Sequence, residues 1–165
     1  MIVQHEQLSK PVRAVSTIHT APPETVDLGR PLEVVVMFTD VPSTLKALRT
    51  AAELANSLSG RIRLLAPQVV PYPLPLDSPP VSREFTERRF QTLASDGSST
   101  ALIDTRVELC WCRDRDEALC QALEPEALVV IGVHRSWWPT AEKALARKLR
   151  RKGHHVVLVN LEHGQ

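Results

Sequence analysis

Two short polar clusters in this chain carry side chains able to hold an anion. One is Thr39-Asp40, which directly follows the apolar run Glu33 to Phe38. The other is Gly132, His134, Arg135 and Ser136, which ends the apolar run that begins at Ala127. If the fold brings them together, Arg135 and the N-terminus of the helix that follows could bind an anion without a glycine-rich loop. Ser43 and Lys46 have the S-x-x-K spacing of an acylating serine, but they fall on a regular amphipathic helix with no supporting motif, so the spacing reads as chance. His154 and His155 are adjacent and on a strand would point to opposite faces, which makes a poor metal pair. Cys110 and Cys112 flank Trp111 on one strand face, near or beyond disulfide separation, and with Cys120 they read as small packing residues. No P-loop, nucleophile elbow or paired His/Cys spacing occurs, so the sequence nominates no catalytic residue and no metal ligand.

The elements that must position these residues follow from hydrophobic periodicity. Glu33 to Phe38 is continuous, β-branched and too short for a helix, which predicts a central strand. Ser43 to Ser59 puts Leu48, Ala51, Ala52, Ala55 and Leu58 on one helical face, with Gly60 as the stop. Arg61 to Ala66 is a second strand. Six of the thirteen prolines fall between Pro67 and Pro80 and predict a stiff surface connector in which no central strand persists. Ser82 caps a helix to Ala94, and residues 95–100 form a turn-rich break. Thr105 to Cys112 alternates in the manner of a less buried edge strand, and Asp114 and Glu117 have the spacing of a reciprocal cap on a short helix. Ala127 to Val159 is a complete strand, loop, helix and strand unit, with Gly153 closing the helix.

Five strands alternating with four helices predict an α/β domain over residues 32–165: an open five-stranded parallel sheet with helices on both faces. Met1 to Pro31 holds four prolines with little periodicity and reads as an irregular or partly disordered arm. The chain has 165 residues and 43% hydrophobic content, which suits one globular domain. A net charge of +1 argues against a generally basic nucleic-acid binder. The N-terminus lacks the pattern of a secretory leader, and no apolar run is long enough for a membrane span. With an odd number of cysteines, this predicts a reduced, cytoplasmic protein.

The order of these parts, together with LEVVVMFTDVPSTLKALRTAAELANSLSGRIRLL and the later VVIGVHRS, resembles the universal stress protein family over about Leu32 to Leu161. The resemblance implies the strand order 3-2-1-4-5, counted from the Glu33 strand. It places the nucleotide site of ATP-binding members at the reversal between strands one and four, where doubly wound sheets in general bind ligands. Thr39 to Pro42 and Gly132 to Ser136 would be its walls. ATP-binding members carry an acidic residue after strand one and a G-x-x-G pattern, then nine residues, then G-S or G-T. Here only Gly132 fits. Arg135 stands at the second glycine, Leu145 and Ala146 at the final pair, and Thr39 at the acidic position with Asp40 one step later. Trp137, Trp138 and Pro139 crowd the loop.

The resulting expectation is a non-enzymatic regulatory or interaction domain with a degenerate nucleotide site, which has lost ATP binding or takes another small anion. The alternative is a divergent regulator that binds ATP or AMP. The run Lys143, Arg147, Lys148, Arg150, Arg151 and Lys152 reads as a solvated face that favours the helix dipole, rather than as a nucleic-acid or membrane surface. The competing reading is a surface-binding module using Trp137 and this helix. Trp138 extends the core stripe of Ala141, Ala144, Leu145 and Leu149. The last strand is apolar yet falls at a sheet edge, which predicts a homodimer through Val156 to Val159, unless the N-terminal arm covers it.

Overall fold

Alternation within the apolar runs decides the layering of the computed structural model, which describes residues 11–18, 31–98 and 103–161. In β2 (Glu33–Met37), Val34 and Val36 face a layer made of α1 (Val41–Ser57) and α2 (Arg83–Ser98). Val35 and Met37 face a second layer made of α3 (Arg115–Ala122) and α4 (Ala141–Arg151). The same two-sided burial recurs in β3 (Arg61–Val69) and in β5 (Leu128–His134), so the central strands are mostly apolar on both faces, with the buried Arg63 of β3 as an exception. β4 (Thr105–Cys112) and β6 (His155–Leu161) complete the parallel set.

The expectation of a five-stranded, all-parallel sheet is corrected. The sheet has six strands in the order β1-β4-β3-β2-β5-β6, because β1 (Val12–Ile18), within the stretch read as irregular, pairs antiparallel with β4. The rest of the predicted arm, residues 1–10 and 19–30, lies outside the described residues. β4 is therefore not an edge strand. Its second face, with Glu108, Cys110 and Cys112, is as buried as the face of Val107, Leu109 and Trp111. The reversal of strand order falls between β2 and β5, at the C-terminal ends of both strands.

A charged ladder crosses the sheet at its other end. Arg63 is buried and meets Glu33 at 2.9 Å and Glu108 at 3.0 Å, while its Nη1 also donates to the Ala122 carbonyl at 3.1 Å. Arg13 of β1 approaches Glu108 from outside at 3.4 Å. The alternating pattern of β4 thus has a charge on its inner face because that charge is paired there.

Several local expectations shift for physical reasons. Pro67 lies inside β3, where no central strand was expected to persist. Arg63, Leu65 and Pro67 direct their backbone polar groups toward β2, as Phe38 N–H to Leu65 O shows, and Pro67 lies beyond the end of β2. Its missing N–H therefore removes no ladder bond. Arg113 clamps the following connector by donating to the carbonyls of Val70 at 2.7 Å and Leu74 at 2.6 Å. The α2 helix continues through the expected break to Ser98, with Gly97 packed against Leu48 too closely for a Cβ. Ser59, at φ 50°, makes the left-handed turn after α1, and Gly60 instead lets the chain pass the Leu32 carbonyl. Gly153, at φ 90°, closes α4 as expected.

Candidate functional site

The crevice at the reversal is built from the ends of β2 and β5 and the first turn of α1. Asp40 is the N-cap of α1, accepting the Ser43 N–H at 3.0 Å through Oδ1. Its other oxygen lies 3.2 Å from Nε2 of His134, a contact that becomes an ion pair when the imidazole is protonated. Thr39 donates its hydroxyl to the Gly132 carbonyl at 3.1 Å, and its N–H to Thr44 Oγ1, also at 3.1 Å. Four of the six predicted site residues, Thr39, Asp40, Gly132 and His134, are therefore brought together.

Their contacts, however, are mostly with one another. The Gly132 position is filled by the protein itself, since a Cβ there would lie 2.0 Å from the Ser43 carbonyl oxygen. Helix–strand packing accounts for this glycine without a ligand.

The other two predicted residues stand apart. Arg135 is exposed and makes no hydrogen bond or ion pair to a described residue. Ser136 closes its own loop: its Oγ accepts the Trp138 N–H at 3.2 Å, and its carbonyl accepts the Lys143 ammonium. Thr140 caps α4 through the Lys143 N–H at 3.3 Å, which occupies one of the donors a phosphate would use.

The expected crowding by the indoles is corrected. Trp137 is 99% exposed and Trp138 80%, so neither ring packs into the crevice, and Trp138 does not extend the core stripe. The buried residues of α4 are Leu145, Ala146 and Leu149, whereas Ala141 and Ala144 face water.

Sequence reasoning missed two contributors to the site. Arg115, the first residue of α3, donates from Nη2 to the Phe38 carbonyl at 3.1 Å, at the end of β2. Its signal was available, because an arginine opening a helix after a parallel strand lies at the ligand-binding end of the sheet. Ser43 is fully buried beside Gly132, with its hydroxyl unpartnered among the described residues. A concavity of about 540 Å³, lined by Pro42, Leu45, Lys46, Arg49 and Leu161 among others, flanks the crevice without including Asp40 or His134. Among the described residues no group of three metal-binding side chains occurs, and no helix is long and apolar enough to cross a membrane.

No family model matches the sequence, and no curated protein does. Solved structures do match the fold. A universal stress protein in complex with cAMP superposes with a TM-score of 0.55 at 12% identity, over 79% of this chain and 98% of that one. A protein of the universal stress protein family from Burkholderia pseudomallei gives a TM-score of 0.48 at 16% identity, over 77% and 94%. With its β2–β5 crevice and helices on both sheet faces, this chain has the fold of the universal stress proteins.

Proposed function

We propose that the chain is a non-enzymatic, universal-stress-like regulatory or interaction domain whose crevice no longer binds ATP. One observation carries this reading: Thr39, Asp40, Gly132 and His134 are engaged with each other and with α1. A phosphate entering there must break internal bonds and finds no row of free glycine amides to replace them. Titration calorimetry with ATP, ADP and AMP is expected to show no association. Micromolar binding of ATP that Arg135→Ala weakens sinks the reading.

Two side chains favour a second reading, a divergent nucleotide-binding regulator. Arg135, in the loop beside the crevice, and the buried Ser43 hydroxyl are polar groups without a partner among the described residues, and one protein of the same fold was solved with cAMP. The same calorimetry, with cAMP added to the series, separates the two readings.

The working form is a cytoplasmic homodimer joined through Val156 to Val159 of β6. The N-terminal strand β1 lies on the opposite edge of the sheet, so it does not compete for this one. His155 donates inward to the Ala127 carbonyl, so by alternation Val156, Leu158 and Asn160 direct their backbone groups outward. Arg150 covers the Val156 carbonyl at 2.8 Å and leaves Leu158 and Asn160 to a partner strand. Asn160→Pro removes an outward donor at an exposed residue and is expected to yield monomer in sedimentation equilibrium. Wild-type protein that sediments as a monomer at every concentration overturns the dimer.

A further inference from the structure

The loop from β5 to α4 carries the two most exposed large apolar side chains among the described residues. Trp137 and Trp138 are neighbours at 99% and 80% exposure, whereas the third tryptophan, Trp111, is buried in the core at 1%. The loop that presents them is tied in place. Trp138 N–H donates to Ser136 Oγ, and the Lys143 ammonium reaches the carbonyls of Ser136 and Trp138. Two indoles held in water on a fixed loop are an interaction feature rather than spare core, because the apolar side of α4 is already filled by Leu145, Ala146 and Leu149.

Charge is concentrated behind them. From Arg135 to Lys152 the chain holds seven lysines and arginines against one carboxylate, Glu142, in a protein whose net charge is only +1. Arg147, Lys148 and Arg151 are exposed on α4, and Lys152 is exposed at its C-cap. Arg150 is engaged with β6.

We infer that Trp137, Trp138 and the cationic face of α4 form a docking surface for an anionic lipid bilayer. This does not depend on whether the crevice binds a nucleotide. At a bilayer surface an indole sits at headgroup depth, with its ring toward the acyl boundary and its N–H in the polar layer, and long cationic side chains reach lipid phosphates. Charge attraction and aromatic insertion are each weak alone, and together they hold a protein at a membrane. Shape favours a bilayer over nucleic acid. Trp137 and Trp138 stand out into water at 99% and 80% exposure, whereas the bases of a single strand stack on aromatic rings set along a basic groove. A fluid surface accommodates a protruding patch.

The test uses the full chain with vesicles of phosphatidylcholine mixed with phosphatidylserine, and with phosphatidylcholine alone as reference. Binding to the mixed vesicles is expected to be at least ~10-fold tighter, to weaken with added salt, and to shift tryptophan emission to the blue. Trp137→Ser with Trp138→Ser is expected to weaken binding ~10-fold or more and abolish the shift. Trp111 then remains as the single reporter of an intact core. Arg147→Gln with Arg151→Gln is expected to remove the preference for the anionic lipid. Wild-type protein that stays in the supernatant with both vesicle types overturns the proposal. So does vesicle binding that neither double variant changes, and so does binding to single-stranded DNA through the same residues without vesicle binding.

Discussion

Gly132 of β5 and Ser43 of α1 meet backbone to side-chain position: a Cβ on Gly132 would fall 2.0 Å from the Ser43 carbonyl oxygen and 2.4 Å from its carbon. The first turn of α1 lies directly on the strand end at this point, held by the Asp40 cap and by the two hydrogen bonds of Thr39. The glycine nearest the expected nucleotide site is thus accounted for by packing.

Gly132→Ala forces the helix and strand apart where backbone, not a flexible side chain, must move. Overpacking of this kind costs about 1–3 kcal/mol and sometimes more, and backbone contact at both carbonyl atoms places the expected loss at the upper end. Urea unfolding followed by circular dichroism measures it. An unchanged midpoint would show that Gly132 is not a packing residue.

What was legible in the sequence was whatever depends on local pattern. Val34 to Met37 and Val129 to Val133 announce two-sided burial, and Ser82, Asp114 and Gly153 act at helix ends. Thr39, Asp40, Gly132 and His134 could be placed together because sheet order brings β2 beside β5. Pairing across the chain was not legible. Nothing near Val12 says that it will face Trp111, and without that partner the alternation of β4 reads as an edge with one wet face. The burial of Glu108 likewise depends on Arg63 and Arg13, which are distant in sequence. Trp138 has helical spacing to Leu145 but lies before the Thr140 cap, so the helix never carries it to the core.

Arg63 should dominate the charged ladder. Glu108 is nearly sealed from water and Glu33 largely so, and Arg63 is the cation that touches both. Arg63→Ala leaves a buried carboxylate without its main partner, an arrangement that costs about 3–5 kcal/mol. Arg63→Met combined with Glu108→Leu is expected to lose less than Arg63→Ala alone, because it removes both buried charges. Arg13→Gln, at a partly exposed pair, should cost about 1 kcal/mol or less. Denaturant midpoints of the three variants give the order, and an Arg63→Ala effect no larger than that of Arg13→Gln would refute a buried ladder.

The thiols should separate by burial. Burial raises the Cys110 pKa, and it pushes Cys112 up to about 11, helped by the neighbouring Cys110. Cys120 is only partly buried. A thiol-disulfide reagent at mildly alkaline pH is expected to modify Cys120 in the native protein and all three thiols after denaturation. Cys120→Ser should leave the native protein inert, and rapid labelling of that variant would mean that α3 does not cover β4.

His154 gives stability a pH dependence of fixed sign. Its imidazole is buried where α4 turns into β6, with Nδ1 unpartnered among the described residues. Burial first, and then the charge of Lys152, lower its pKa below the ordinary imidazole value near 6.5. The unfolded chain therefore binds this proton at a higher pH than the native one. Stability from neutral His154 is fully present above the unfolded value and is lost as pH falls through the folded one. Wild-type protein should lose more of its urea midpoint between about pH 7 and pH 5 than His154→Gln does. Equal losses in the two proteins would remove His154 as the cause.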